Sequence, residues 1–547
     1  MDKAITFCVF ALATDQILRY LHRRETNKQT VEKTRALAKL ICNANPLLLK
    51  SGLELGEMIK AGELTSVELT LLCMEQIDRC NLYTNAMVAS RFDLALQEAH
   101  ARDDNEKQNK DLVFWGVPIF SKEVFELPGM PLSAGVVQLA QRFGRNTCFA
   151  LEQVQSAGLV ILGSGNVSEQ CMWMESTNNV YGTTNNAYDL GRTVGGSSGG
   201  TASVVSTLGA PLAVTSDVGG STRIPSLYNG VFGLKPTGGS VSNFGTTPSV
   251  HHRVNWFCQL GPCATHAEDL MPLLRILTSQ PAPKTMDKVL PTKSPQEASR
   301  NWTSDRVPLR DLKVMTSFRQ FDTSGPLQWF RHARERGMIE AHVKLVQVLG
   351  EVEQVDFPAF SQAFDIWSAY LGRETIDVPF RMILAEGKPG AGSFWWVLKE
   401  LVKFGVSLGR WSDHTLPALA LGVVEAVEAL LSSKNRALIE AGERLKQDLS
   451  NALGSNGVLI VPSLPTVAPK HGPLPFLLRA SESGAAGIFN VLEFPSVAVP
   501  LGLDAQGLPM GVQIVANHGN DHLCLSLARL LEQELNAVGW QPPNMLN

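Results

Sequence analysis

Two serines sit in glycine-rich segments, Gly191-Arg192-Thr193-Val194-Gly195-Gly196-Ser197-Ser198-Gly199-Gly200 and Asp217-Val218-Gly219-Gly220-Ser221-Thr222-Arg223. Ser221 follows Ser197 by 24 positions, and Lys122 lies upstream in Ile119-Phe120-Ser121-Lys122-Glu123. A hydroxyl attacks a carbonyl only when a base takes its proton. Burial disfavours the ammonium form of a lysine. The apolar neighbours Val117 to Phe120 and Val124-Phe125 suit that desolvation. Glycine beside each serine allows close backbone approach and leaves N–H donors open to a developing oxyanion. Lys122, Ser197 and Ser221 thus hold the parts of a nucleophilic acyl-transfer site that uses no histidine, and the expected reaction is hydrolysis.

Ordinary readings compete with this one. Gly195-Gly196-Ser197-Ser198-Gly199 matches the G-x-S-x-G elbow of α/β hydrolases, which needs a strand directly before the serine; Asn185 to Thr193 reads as loop. A flexible linker is disfavoured because Val204, Val205 and Leu208 continue into an apolar helix. Neither G-x-G-x-x-G nor the lysine–serine/threonine pair of a phosphate-binding loop is present. Ser198 is expected to support the backbone, and Asp217 with Arg223 to brace the nucleophile loop. His251-His252 and His471 show neither triad nor metal spacing and read as structural or surface residues. Nothing near Cys171 in the sequence would activate a thiolate.

The chain has 547 residues, 44% of them hydrophobic and 18% charged, an ordinary globular balance. A formal net charge of −4 gives no basic field for nucleic acid. Nine scattered cysteines without a C-x-x-C pair argue for reduced thiols, and against a disulfide framework or a metal centre. No cofactor is expected.

From Ser51 the pattern is helical. Gly62 breaks a first helix, and Thr65-x-x-Glu68 is a capping box for a second, with Val67, Leu71, Met74 and Ile77 on one face. Asp103 to Lys110 reads as a charged loop. Short apolar bursts at Leu112–Phe120, Leu159–Leu162, Leu212–Thr215, Val458–Val461 and Val497–Leu503 predict strands of a largely buried sheet. Val497–Leu503 and Met510–Val515 flank the polar turn Asp504-Ala-Gln-Gly507 as a hairpin. Residues 280–312, rich in Lys, Pro, Ser and Asp, read as a surface excursion.

Two regions are apolar in a different way. Ala4 to Ala13 is apolar but too short for a confident membrane span. Its basic flank His22-Arg23-Arg24 lies after it, so residues 1–45 read as an N-terminal arm, either a frayed amphipathic helix or a membrane anchor. In residues 394–427, Phe394, Val397, Leu398, Leu401 and Leu408 keep helical spacing, while Trp395, Trp396, Val402 and Phe404 spread apolar surface around the cylinder. Such a helix is core or faces something other than water. With Lys399, Lys403 and Arg410 nearby, a membrane-contacting cap is the sharper alternative.

The combination of motifs resembles the amidase signature family from about Leu47 onward. The matching pieces are Gly116-Val-Pro118 with Ser121-Lys122-Glu123, Gly163-Ser-Gly-Asn166, Gly195–Gly200, Ser216-Asp217-Val-Gly-Gly-Ser221-x-Arg223-x-Pro225, Gly230-x-x-Gly233-x-Lys235-Pro236 and Gly507-Leu-Pro-x-Gly511-x-Gln513. The resemblance implies one large α/β catalytic domain over 46–547, with a mixed central β-sheet covered by helices on both faces. It also implies a Ser–Ser–Lys triad with Ser221 as nucleophile, Ser197 as proton relay and Lys122 as base. The N–H groups of Val218, Gly219, Gly220 and Ser221 would form the oxyanion hole, and a cis peptide would precede Ser197. The implied activity is hydrolysis of carboxylic amides. The aromatic-rich 394–427 stretch and the apolar amino terminus favour lipid amides over two alternatives, small or aryl amides and an amidotransferase-type glutaminase subunit. The expected partners are a lipid amide and a membrane surface, with no nucleic acid, and a homodimer stays open. The expected location is an intracellular membrane or lipid droplet, with the cytoplasm as the alternative.

Overall fold

The computed structural model describes residues 29–534, apart from 106–110, 249–253, 281–296, 319–344, 376–379, 385–392, 429–431, 473–482 and some shorter gaps. Residues 1–28, with the apolar run and its basic flank, lie outside the described residues, as do His251-His252 and most of the 280–312 excursion.

Among the described residues thirteen strands form: β1 (Met87–Ser90), β2 (Pro118–Lys122), β3 (Val160–Gly165), β4 (Thr177–Asn178), β5 (Gly182–Thr183), β6 (Leu212–Asp217), β7 (Phe232–Lys235), β8 (Gln259–Ala264), β9 (Lys313–Thr316), β10 (Glu353–Gln354), β11 (Gly457–Pro462), β12 (Ser496–Leu503) and β13 (Pro509–Ala516). β4 and β5 pair alone, and the others make one 11-stranded sheet in the order β1-β3-β2-β6-β8-β7-β12-β13-β11-β9-β10. The sheet is mixed: β2 runs parallel to β3 and β6, whereas β6 and β8, and β12 and β13, are antiparallel.

Side chains alternate across a strand, and that alternation sorts the sheet into two cores. Val458 and Ile460 of β11 join the main apolar cluster with Val512 and Ile514, while Leu459 and Val461 join a second with Phe360, Ile366 and Phe489. Both faces are therefore covered, and the near-continuous apolar strands need no polar face.

The helix starts follow their caps. Ser51 and Thr65 each form a complete capping box, with Glu54 and Glu68 respectively, and Gly62 adopts φ +72° between the two helices. The buried face of the Ser66–Thr84 helix differs from the expected one. Leu69, Cys73, Ile77 and Cys80 face the core, Val67 and Met74 are only partly buried, and Leu71 is 47% exposed. Cysteine supplies half of this stripe, so counting only large apolar residues rotated the expected face. The Leu112–Phe120 burst is strand only from Pro118; the earlier residues turn at Gly116, whose φ is +76°, yet still bury Phe114 and Trp115.

Residues 29–42 form a helix, and Leu37 and Ile41 join the main core. The described part of the expected 1–45 arm is thus packed on the body of the protein. Among the described residues, no helix is long and apolar enough to cross a membrane.

Candidate active site

Parallel pairing of Ile119 with Leu212 and Phe120 with Ala213 brings the carboxyl ends of β2 and β6 to one edge of the sheet. Ligands of open α/β sheets bind at that edge. β2 ends in Lys122, which is fully buried, and β6 ends in Ser216-Asp217. Lys122 Nζ donates to Ser197 Oγ at 2.7 Å and to Ser216 Oγ at 2.9 Å. Among the described residues no carboxylate hydrogen-bonds this amine, because the neighbouring Glu123 turns away. Glu123 Oε1 accepts from Ser133 N at 2.7 Å and from the Tyr181 hydroxyl at 2.9 Å. Burial pushes its carboxyl pKa up despite these donors.

Ser197 is reached from a loop and opens the Gly199–Ser206 helix, so no strand–serine elbow is formed there. The Gly196–Ser197 peptide is cis. A side chain at Gly196 would bring Cβ within 2.5 Å of Trp173 O, which explains the glycine. Ser176 clamps this loop: its hydroxyl lies 2.9 Å from Gly195 O and accepts from Gly199 N at 2.9 Å. Ser198 serves the backbone as expected, its N–H donating to Ser221 O at 3.2 Å and thereby tying the two serine loops together.

Ser221 lies in the turn between β6 and the Arg223–Tyr228 helix. That turn is braced by a fully buried ion pair, Arg223 Nε–Asp217 Oδ2 at 2.9 Å and Arg223 Nη2–Asp217 Oδ1 at 3.0 Å. Burial alone would raise the Asp217 pKa, but the Arg223 charge, its hydrogen bonds and those from Gly220 N–H and the Asn490 amide hold it well below the carboxylate range.

The same brace engages one of the expected oxyanion-hole donors. Gly220 N–H donates to Asp217 Oδ1 at 2.7 Å, so it is already committed to holding the loop. The N–H groups of Val218, Gly219 and Ser221 have no such partner among the described residues and are open to a carbonyl oxygen. Gly220 contributes its backbone instead, with φ +111°.

Ser197, Ser216 and Ser221 line one cavity of roughly 1200 Å³ including its mouth. Its walls are mainly apolar, with Val124, Leu260, Phe364, Trp367, Leu371 and Phe380 among them. Cys171 and Cys258 also line it; burial pushes the Cys258 thiol up to about 12, which leaves it a poor nucleophile. The Phe394–Ser407 and Leu416–Glu428 helices pack through Leu401, Leu416 and Leu419, and Leu421 and Glu425 of the second reach the cavity wall. The outer side of the first exposes Trp395 (74%), Val402 (45%) and Val406 (72%). This segment is therefore part core and part apolar surface.

Several residues of the site were not singled out in the sequence. Ser216 carried no signal beyond its place in a motif. Gln170, with φ 55°, lines the cavity, and both polar atoms of its side chain are buried without a partner among the described residues. Buried His414 Nδ1 lies 2.8 Å from Glu169 Oε1, which accepts its hydrogen, and links the outer helices to the loop carrying Gln170. His471 pairs with Glu175 at 2.6 Å, a structural role as expected. Among the described residues no cluster of His, Cys, Asp or Glu could hold a metal ion.

Comparison with known proteins accords with this geometry. The amidase family profile matches residues 68–525. The chain belongs to the amidase signature family. Among curated members, fatty-acid amide hydrolase 2 of Homo sapiens is 34% identical over 515 residues, covering 91% of each chain. Fatty-acid amide hydrolase 2-B of Danio rerio is 34% identical over 518 residues, covering 92% of each. A solved structure titled fatty acid amide hydrolase superposes with a TM-score of 0.69 at 19% identity, covering 92% of this chain and 91% of that one, which shows the shared fold. This amidase is an amide hydrolase with the family's single α/β domain and mixed sheet.

Proposed function

We propose that this amidase cleaves lipid amides to a free acid and an amine through Ser221, Ser197 and Lys122. The observation that carries the reading is the 2.7 Å contact of the fully buried Lys122 amine with Ser197 Oγ, on the cavity that Ser221 also lines.

Ser221 Oγ attacks the amide carbon, and its proton passes through the Ser197 hydroxyl to the Lys122 amine. The oxyanion collects N–H donors from Val218, Gly219 and Ser221. Collapse breaks the carbon–nitrogen bond while the proton returns along the same path to the departing amine. Water then attacks the acyl-enzyme ester with the same base and releases the acid.

A lipid acyl group is supported by the apolar cavity and by the relatives named for fatty-acid amides. Each methylene buried there contributes about 0.8 kcal/mol. The exposed stripe Trp395, Val402 and Val406 beside Lys399 and Lys403 suits a membrane surface, where aromatic and aliphatic side chains insert and lysines remain at the headgroups. Cys73, Cys148, Cys263 and Cys524 are free thiols, which suits a reducing intracellular compartment.

Labelling with a fluorophosphonate and hydrolysis of acyl amides from two to eighteen carbons test the reading. Adduct on Ser221, slow labelling of Lys122→Ala and preference for long chains are expected. Unchanged labelling of Ser221→Ala rejects the nucleophile, and preference for the shortest amides rejects the lipid substrate.

A further inference from the structure

We infer that Trp367 is a positioning residue that aims the Gly219 N–H of the oxyanion loop; the inference rests on the hydrolase reading above. Trp367 lies on the Ala363–Glu374 helix, far from both serine loops in sequence, and no motif marks it. Its indole Nε1–H donates to Val218 O at 3.0 Å.

That carbonyl belongs to the same peptide unit as the Gly219 N–H. A trans peptide is planar, with its C=O and N–H pointing in opposite directions, and the Val218–Gly219 bond is trans. Holding the oxygen against the indole therefore directs the hydrogen away from it. Without that hold the peptide could rotate, because glycine follows at both 219 and 220 and glycine restricts rotation least.

The ring is itself gripped. A Cβ at Gly219 would lie 3.0 Å from Trp367 Cζ2, and one at Gly487 would lie 2.9 Å from Cδ1, so two glycines make room for the indole between the loop and the Gly484–Val491 helix. Phe364 packs on it at 5.7 Å between ring centroids. The loop is thus braced at two points, by Asp217 at the Gly220 N–H and by Trp367 at the Val218 carbonyl. Trp367 also lines the substrate cavity, so an occupant that presses on the ring also steadies the donor.

The decisive variant replaces Trp367 site-specifically with β-(3-benzothienyl)alanine, which keeps the ring's shape and loses only its N–H. kcat is expected to fall about tenfold, short of the roughly hundredfold or greater loss on deleting a donor outright. KM should change by less than about twofold, since the contact matters in the transition state. Affinity for a long-chain acyl trifluoromethyl ketone, which forms a tetrahedral adduct on the serine, should fall in parallel with kcat/KM. Trp367→Phe should show the same pattern with an unchanged melting temperature. Unchanged kcat and ketone affinity in the benzothienyl variant would overturn the role, as would a rise in KM alone, which marks a mere cavity wall. A wild-type protein inert to both acyl amides and fluorophosphonate would remove the hydrolase reading itself, an outcome distinct from either of these.

Discussion

Lys122 Nζ stands 2.7 Å from Ser197 Oγ and 2.9 Å from Ser216 Oγ, so one buried amine serves two hydroxyls. Ser216 comes from the end of β6 and Ser197 from a loop, and the amine joins them across the sheet edge. The two hydroxyls hold the amine between them. Ser197 lies on the proposed proton path; Ser216 steadies the amine from the other side.

Ser216→Ala should therefore lower kcat about tenfold, less than the roughly 10²–10⁴-fold expected of a lost general base in Lys122→Ala. Steady-state kinetics on one soluble amide, with fluorophosphonate labelling rates alongside, check the ranking. Equal losses in the two variants would contradict it.

Breaking the buried Asp217–Arg223 pair should cost stability before it costs chemistry. Asp217→Asn leaves the guanidinium uncompensated at full burial, and a loss of about 3–5 kcal/mol is expected in urea unfolding. Pairing Asp217→Asn with Arg223→Met should destabilise by less than the sum of the single changes, because each removes the same partner.

Lys235 gives the fold a pH dependence. It is fully buried, with Pro236 O accepting from its Nζ at 2.6 Å. Burial, then the nearby Arg223 charge, lowers its pKa to about 7 from 10.5. The unfolded chain keeps the proton up to the higher value, so between these two pH values it binds more protons than the folded chain, and stability rises with pH across the window. Lys235→Met should flatten that slope in urea unfolding at pH 6, 8 and 10. An unchanged slope would show that the amine is not its source.

The outer stripe should govern membrane contact alone. Replacing Trp395, Val402 and Val406 together by Glu should reduce sedimentation with anionic vesicles while turnover of a short soluble amide stays unchanged. Exposed substitutions of this kind shift stability by only about 0.5 kcal/mol each. Full vesicle binding by the triple variant would place any membrane contact elsewhere.

Much of the architecture was legible from local pattern. Ser51 and Thr65 each carry an acidic residue three positions on, and both boxes form because the bonds close within one turn. The apolar bursts at 212–215 and 458–461 lie in buried strands, that at 159–162 enters one at Val160, and the hairpin turns at Asp504 as read. Local pattern misled where cysteines supplied half of a buried stripe and left Leu71 outside it, or where a positive-φ glycine delayed a strand, as at Gly116.

The residue order alone marked the side chains proposed to carry the chemistry, because glycine-flanked serines and a lysine in an apolar run are readable from neighbours in the chain. It also determined the Asp217–Arg223 brace, whose partners lie within one turn. Only the tertiary structure decided that Ser216 shares the amine, that Gly220 N–H is spent on a carboxylate, and that an indole some 150 positions away grips the loop. Those contacts depend on strand register and on packing between distant segments, and a hydrogen bond's direction is set by where the backbone finally lies rather than by which residue supplies it.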